Sequence, residues 1–328
     1  MESPKTLQQA IQYFSDEQVC VDTVAQMRWL ETGPHCPDCS PEEGKNPYYI
    51  KTQKRWKCRS CRRQFSVKIG TIFEDSLIPL QKWLPALWLL CNCRNGVSSW
   101  EIHRTLGVTQ KTAWFMLHRL RLAMKSPYSP AKMGSSEGGE VEADETFVGG
   151  RVQNMHKDRK LRYQQLGGRQ GGKAIVAGIL DRDARKVRAS VVPNIKRETL
   201  QDNILANVKH GSRVYTDDAV AYADGLAARY VHEVVNKTEQ YVKGRVHVNG
   251  MENFWSLLKR GLKGTYVAVE PFHLERYVDE QIFRYDNRST KENPLNDSDR
   301  FLLALSQVAN KRLTYKELIG KNDTTTPF

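Results

Sequence analysis

The chain has 328 residues, enough for two or three domains, and its 40% apolar and 27% charged residues are the balance of a globular protein. Fifty Lys and Arg against 37 Asp and Glu leave a net charge of +13, which favours a polyanionic partner, nucleic acid first. The 22 glycines and 13 prolines are too few for a collagen-like or low-complexity chain.

The most apolar run, Trp83 to Cys91, falls far short of the roughly 18 residues that a membrane-spanning helix needs, so no membrane partner is expected. Met1–Gln12 has no positively charged start followed by an apolar core, so no secretory signal is expected either. Seven cysteines is an odd count, and four of them form two Cys-x-x-Cys pairs. In a reducing cytoplasmic compartment that pattern reads as metal ligation, not as a disulfide framework.

Those pairs fall in the first region, residues 1–75. Cys36-Pro-Asp-Cys39 and Cys58-Arg-Ser-Cys61 are separated by 18 residues. Each pair fits a tight turn that aims two thiolates at one point, and two such turns make a closed tetrahedral site for structural Zn2+. A redox Cys-x-x-Cys belongs at a helix start in a thioredoxin-like unit, which the sequence does not offer. Lys51, Lys54, Arg55, Lys57, Arg59, Arg62 and Arg63 follow one another with no acid from 51 to 63. Such a basic ribbon suits phosphate contacts, although a solvated charged face has the same composition. Cys20, Cys91 and Cys93 have no partner at ligand spacing and read as core or semi-buried thiols.

The second region, residues 76–128, is rich in Leu, Trp and helix formers. Ser98–Leu106 has helical spacing, Gly107 suits a tight turn, and Thr109 is a fair cap for a second helix, Gln110–Met124. Helix, glycine, helix is the pattern of a helix-turn-helix, whose second helix would present Gln110, Lys111 and Arg119 to DNA. A plain helical hairpin has the same pattern. Residues 129–139, with Pro130, Gly134, Gly138 and Gly139, read as a linker.

The third region, residues 140–290, alternates strands and helices. Strands are predicted over 141–148, 173–180, 187–192, 213–216 and 230–235, with a hairpin turn at Asp181-Arg-Asp183. Helices are predicted over 197–208, between the last two strands, and over 251–263. In that last helix Met251, Phe254, Leu258 and Leu262 share a face. The order implies a mixed sheet with helices on its faces. Residues 291–328 read as a tail with a helix near 297–311. The Gly- and Arg-rich stretch 149–172 reads either as a DNA-contacting loop or as a solvated one.

Three acids stand out. Asp144 interrupts the first strand, Asp217 follows the short strand Val214–Thr216, and Glu252 lies in the first turn of the amphipathic helix. An unpaired buried carboxylate is costly, and a divalent cation removes the cost. Three carboxylates holding two Mg2+ ions are equipped for phosphoryl transfer. Each acid also has an ordinary reading: a strand-end ion pair for Asp144, a helix cap for Asp217, a dipole partner for Glu252. Glu145 and Asp218 point the other way on extended backbone and are second choices.

At these residues the sequence resembles the DDE transposases of bacterial insertion sequences, in particular the zinc-ribbon-bearing group related to the eukaryotic Merlin elements, with an ISXO2-like transposase domain. The resemblance runs from about Phe14 to Arg288. It is carried by Arg28-Trp29 ahead of the first cysteine pair, by Asp144-Glu-Thr-Phe-Val-Gly-Gly150, by Tyr215-Thr-Asp-Asp218, and by His247-Val-Asn-Gly-Met-Glu-Asn-Phe-Trp-Ser-Leu-Leu-Lys-Arg260. It implies a multidomain α+β protein: zinc ribbon, helix-turn-helix, and an RNase H-like α/β catalytic domain with a mixed sheet. It implies Asp144, Asp217 and Glu252 as ligands of catalytic Mg2+ or Mn2+, and Lys259 as a trailing basic residue on the face of Glu252. The expected partners are double-stranded DNA, as element ends and target, and further copies of the chain on DNA. The expected location is the bacterial cytoplasm, at the nucleoid. Two alternatives stay open: a metal-dependent nuclease or resolvase on the same fold, and a DNA-binding regulator with an idle catalytic domain.

Overall fold

The computed structural model describes residues 4–40, 42–126, 131–150, 157, 161, 173–217, 222, 225–235 and 245–321. It divides into two compact units, residues 1–126 with 287–328, and residues 127–286.

The first unit is a helical body carrying a small ribbon. Helices α1 (Leu7–Tyr13) and α2 (Glu17–Arg28) start on side-chain caps from Thr6 and Asp16. The ribbon is an antiparallel sheet of β1 (Tyr48–Ile50), β2 (Arg55–Lys57) and β3 (Gln64–Phe65). Trp56 pairs with Tyr49 on one side and Phe65 on the other. Its ring lies 4.9 Å from that of Trp29 in an edge-on contact. The Arg28 guanidinium sits 4.8 Å from the centre of the Trp29 ring, and its Nη1 donates to the Val67 carbonyl at 3.0 Å. The Arg28-Trp29 pair therefore fastens α2 to the ribbon.

Helix α3 (Leu80–Asn92) is the buried centre of this unit, with Trp83, Leu84, Leu87, Trp88 and Leu90 all enclosed. Helix α4 (Ser99–Leu106) begins on a reciprocal cap between Ser98 and Glu101 and ends at Gly107, whose φ of 60° lies in the left-handed region. Thr109 then caps α5 (Gln110–Met124). The residues set apart as a tail are part of this body. Helix α9 (Asp297–Ser306) places Phe301 between Phe14 and Trp88, at ring distances of 5.3 and 5.4 Å, and α10 (Tyr315–Leu318) follows.

The second unit is built on a five-stranded mixed sheet. Its strands are β4 (Glu140–Val148), β5 (Ala174–Asp181), β6 (Lys186–Val192), β7 (Arg213–Asp217) and β8 (Val231–Val235), in the order β6-β5-β4-β7-β8. β6–β5 and β5–β4 are antiparallel pairs, whereas β4–β7 and β7–β8 are parallel pairs. Side-chain alternation gives the sheet two faces. On one, Val141, Ala143, Ile179 and Val214 pack with Leu200 and Ile204 of α6 (Arg197–Asn207). On the other, Val176, Leu180 and Val187 pack beneath α7 (Asn249–Gly261) and α8 (Leu274–Asp286).

Two expectations differ from this architecture, and a third is not covered by the described residues. The end of the expected linker is anchored to the sheet unit: Met133 is buried and its N–H donates to the Asn207 carbonyl at 2.8 Å. Helix α8 carries a large share of one core face, although its sequence suggested no element. The helix expected between β7 and β8, and most of the basic stretch 149–172, lie outside the described residues. Among the described residues, no helix is long and apolar enough to cross a membrane.

Candidate zinc cluster and active site

The ribbon brings its four cysteines together. Cys36, Cys39, Cys58 and Cys61 have sulfurs all within 4.8 Å of one another. The Cys36–Cys61 and Cys39–Cys58 separations are 3.6 and 3.8 Å. Thiolates about 2.3 Å from a tetrahedral zinc lie about 3.8 Å apart, so the cage has the dimensions of such a centre. Its electrostatics point the same way. The backbone N–H groups of Cys61 and Ser60 draw the Cys58 thiol down to about 7, whereas the Cys61 and Cys58 sulfurs and local burial push Cys39 up to about 12. Crowded thiols cannot all ionise by themselves, and a divalent cation removes that conflict. Among the described residues this is the group of metal-ligating side chains gathered so closely.

Around the cage, Lys51, Arg55, Arg59, Arg62 and Arg63 are exposed. Arg63 pairs with Asp38 at 2.7 Å and Lys54 with Glu17. The helix pair is less basic than its sequence suggests. Arg119 is buried, and donates to the carbonyls of Leu313 at 3.0 Å and Glu74 at 2.9 Å. It is a structural tie, not a residue presented to DNA. Arg121 is also buried. Lys111 remains exposed, with its ammonium 4.8 Å from the Tyr315 ring centre. Gln110 donates to the Ser99 hydroxyl at 2.9 Å.

In the second unit, sheet register sets the acids. Glu142 of β4 lies opposite Tyr215 of β7 in a parallel pair. The pairing ends there, and Asp144 and Asp217 each lie two residues further along their strands. They also share a face. Tyr215 packs under the Arg182 guanidinium, 4.4 Å from its ring centre, and Arg182 bonds Glu142. Tyr215 and Glu142 are thus on one side, and so are Asp217 and Asp144 by the period of two. Glu145 takes the opposite side, where its Oε2 accepts a 2.8 Å bond from the Tyr222 hydroxyl. Burial, then the charges of Glu145, Asp144 and Asp217, push the Tyr222 phenol well above its ordinary range.

Helix α7 covers the Asp144 side. Its first turn carries Glu252, and Trp255, one turn later, donates its indole N–H to Asp144 Oδ2 at 3.0 Å. Lys259 lies one turn beyond Trp255 on the same face. Burial lowers the Lys259 ammonium below the ordinary lysine range, with Lys263 and Lys173 adding to the effect and Asp144 opposing it. The oxygens of Asp144, Asp217 and Glu252 do not gather to within 4.8 Å of one another as the cysteine sulfurs do. As a donor set, carboxylates are hard oxygen ligands of the kind that Mg2+ and Mn2+ take.

A charged clamp, which the sequence did not announce, sets where α7 begins. Glu142 is 1% exposed. Its Oε2 accepts the Met251 N–H at 2.9 Å, and its Oε1 accepts from Arg182 Nε at 2.7 Å. Arg182 also donates to the carbonyls of Arg245 at 2.7 Å and His247 at 2.6 Å. Arg245 pairs with Glu140 at 3.0 Å. The chain entering α7 is thus held by the strand that carries Asp144. The alternation of Glu140, Glu142 and Asp144 on one strand face was the available signal.

Comparison with known proteins places both parts of the chain in transposase families. Residues 137–286 match the family model described as the ISXO2-like transposase domain, and residues 15–64 match a transposase zinc-ribbon domain. The chain is 28% identical over 263 residues to an uncharacterized protein in transposable element ISH50 of Halobacterium salinarum, covering 77% of this chain and 85% of that protein. It is 32% identical over 106 residues to an uncharacterized transposase-like protein of Haemophilus influenzae, covering 32% of this chain and 85% of the relative. A chain in the cryo-EM structure of the simian T-cell lymphotropic virus intasome with PP2A regulatory subunit B56 gamma aligns with 54% of this chain and 58% of its own length. Its identity of 14% and TM-score of 0.25 are too low to carry weight.

Proposed function

Because this chain belongs to the family of insertion-sequence transposases with an ISXO2-like transposase domain, we propose that it binds the DNA ends of a mobile element, cuts them, and joins them to a target. The observation that carries this reading is the shared side of Asp144, Asp217 and α7, which bears Glu252 and Lys259. The strand order, with the first and fourth strands of the sheet side by side, is the one an RNase H-like catalytic domain has.

In this reading Asp144, Asp217 and Glu252 hold two divalent cations, Mg2+ or Mn2+. When bound, these supply activation of the attacking oxygen and stabilisation of the departing one. Lys259 holds the DNA end as a point charge near the scissile phosphate. Trp255 and the sheet beneath α7 exclude water from one side of Asp144. The zinc ribbon and the helix-turn-helix supply the element-end contacts, through exposed Lys51, Arg55, Arg59, Arg62 and Lys111. The protein works on DNA as a homo-oligomer, since an element has two ends to be processed together.

The test is an incubation of the full chain with labelled duplexes from both flanks of its own coding sequence, Mg2+ and a plasmid target. Label joined to plasmid is the expected result. Cleavage without joining would support a nuclease or resolvase instead. Retention of the duplex without chemistry would support a regulator.

A further inference from the structure

The contact between Trp255 and Asp144 has more structure behind it than a buried indole needs. Trp255 is 4% exposed and Asp144 7%, and their bond joins Nε1 to Oδ2 at 3.0 Å. In the β4–β5 register the residue opposite Asp144 is Gly178. A Cβ at Gly178 would come within 2.5 Å of Met251 Cε and within 2.8 and 2.9 Å of two Trp255 ring carbons. Only glycine lets the indole lie this close over the sheet beside Asp144. The helix supplies the other half of the arrangement. Glu252 and Trp255 are three residues apart and Trp255 and Lys259 four, so all three follow one line along α7. Met251 is held to Glu142, two residues before Asp144 on the same strand face, by its backbone N–H at 2.9 Å. Strand and helix are therefore pinned together at two levels, one of which ends on the carboxylate itself.

We propose that Trp255 is the positioning residue of Asp144: its indole N–H fixes the carboxylate in the orientation in which it meets a divalent cation. This rests on the reading of Asp144 as a metal ligand. A carboxylate has about four lone-pair sites, and the indole takes one of them on Oδ2. The fixed N–H orients the group and leaves its negative charge in place, as outer partners of metal ligands do. A purely structural tryptophan has the same burial but leaves cation affinity unchanged when its N–H is removed.

The experiment measures Mn2+ binding to the zinc-loaded full chain by the loss of the free-ion paramagnetic resonance signal, with the thermal midpoint recorded alongside. Trp255→Phe removes the donor and keeps an aromatic ring. Trp255→benzothienylalanine keeps the indole shape and replaces N–H by sulfur, so it tests the donor even if the smaller ring of the first variant disturbs the fold. Asp144→Asn tests the underlying reading. Both Trp255 variants are expected to weaken Mn2+ binding about tenfold, the low end for an outer partner of a metal ligand. The benzothienylalanine protein should keep the wild-type thermal midpoint. If it binds Mn2+ as the wild type does while Asp144→Asn does not bind, Trp255 is structural only and the inference is wrong. If Asp144→Asn binds Mn2+ unchanged, the reading of Asp144 itself fails, and the inference falls with it.

Discussion

The cysteine cage and the acidic side of the sheet draw their acidic groups from separate segments by different means. In the cage, each pair of sulfurs comes from one short turn, and the two turns are joined through a three-stranded ribbon. On the sheet, Asp144 and Asp217 come from strands adjacent in space but 73 positions apart in sequence, and Glu252 arrives on a helix. A local site stands or falls with its metal. A site assembled by register and docking keeps its framework when one ligand changes, because strand pairing and the Glu142–Arg182 clamp hold the backbone independently.

The strongest way to break this contrast is to remove zinc. Structural zinc contributes on the order of 10–16 kcal/mol in small zinc-finger peptides. Cys58→Ser should therefore lose the metal and unfold the ribbon, with element-end binding lost, while the sheet unit keeps its own thermal transition. Metal analysis finding no zinc in the wild-type protein would remove the basis for the contrast.

Ligand changes on the sheet should behave in the opposite way. Asp217→Asn and Glu252→Gln alter charge with little change in size. Losing several kcal/mol of cation-borne stabilisation corresponds to a cleavage rate lower by about a thousandfold. Zinc content, thermal midpoints and end retention should all stay at wild-type values in gel-shift and melting experiments.

Glu142 sharpens the comparison, since it is predicted to matter for stability without holding a cation. Glu142→Ala leaves the Met251 N–H without its acceptor and Arg182 short of a carboxylate. A loss of about 3 kcal/mol is expected, or roughly 10 °C in the melting of the sheet unit. Glu142→Gln keeps an acceptor and should lose less.

A smaller effect separates the basic residues. Arg55→Ala and Arg62→Ala should each lower the slope of log affinity against log salt by about 0.9 if each contacts one phosphate. Arg119→Ala should leave that slope unchanged and lower the thermal midpoint, because its guanidinium is used on the Leu313 and Glu74 carbonyls. Lys259→Ala should reduce cleavage only about tenfold, through poorer positioning of the DNA end.

The parts of the molecule legible in its sequence are those coded by short-range pattern. The two Cys-x-x-Cys turns, Thr109 as a cap, Gly107 between two helices, and the alternation along β4 all speak within a few residues. Helix α8 did not, because Glu275, Arg276, Asp279, Glu280 and Arg284 are interleaved with its apolar positions. The structure resolves that puzzle by burying Glu280 and Arg284 as an ion pair four residues apart. Arg182 sat in a sequence that reads as an ordinary charged hairpin turn, and its role depends on Glu142, Arg245 and His247 arriving from elsewhere. The helix of the tail was legible, but its docking was not, since Phe301 has meaning only beside Phe14 and Trp88.

The central claim is that the side of the sheet beneath α7 is where DNA is cut. Neighbouring acids on β4 test it most directly, because Asp144 bonds Trp255 on that side and Glu145 bonds Tyr222 on the other. The measurement is the Mg2+-dependent cleavage rate of labelled element ends by Asp144→Asn and Glu145→Gln at equal end binding. The account predicts that Asp144→Asn abolishes cleavage while Glu145→Gln, which still accepts from Tyr222, cuts within a few-fold of wild type. Cleavage retained by Asp144→Asn and lost in Glu145→Gln would contradict it and move the site to the opposite face.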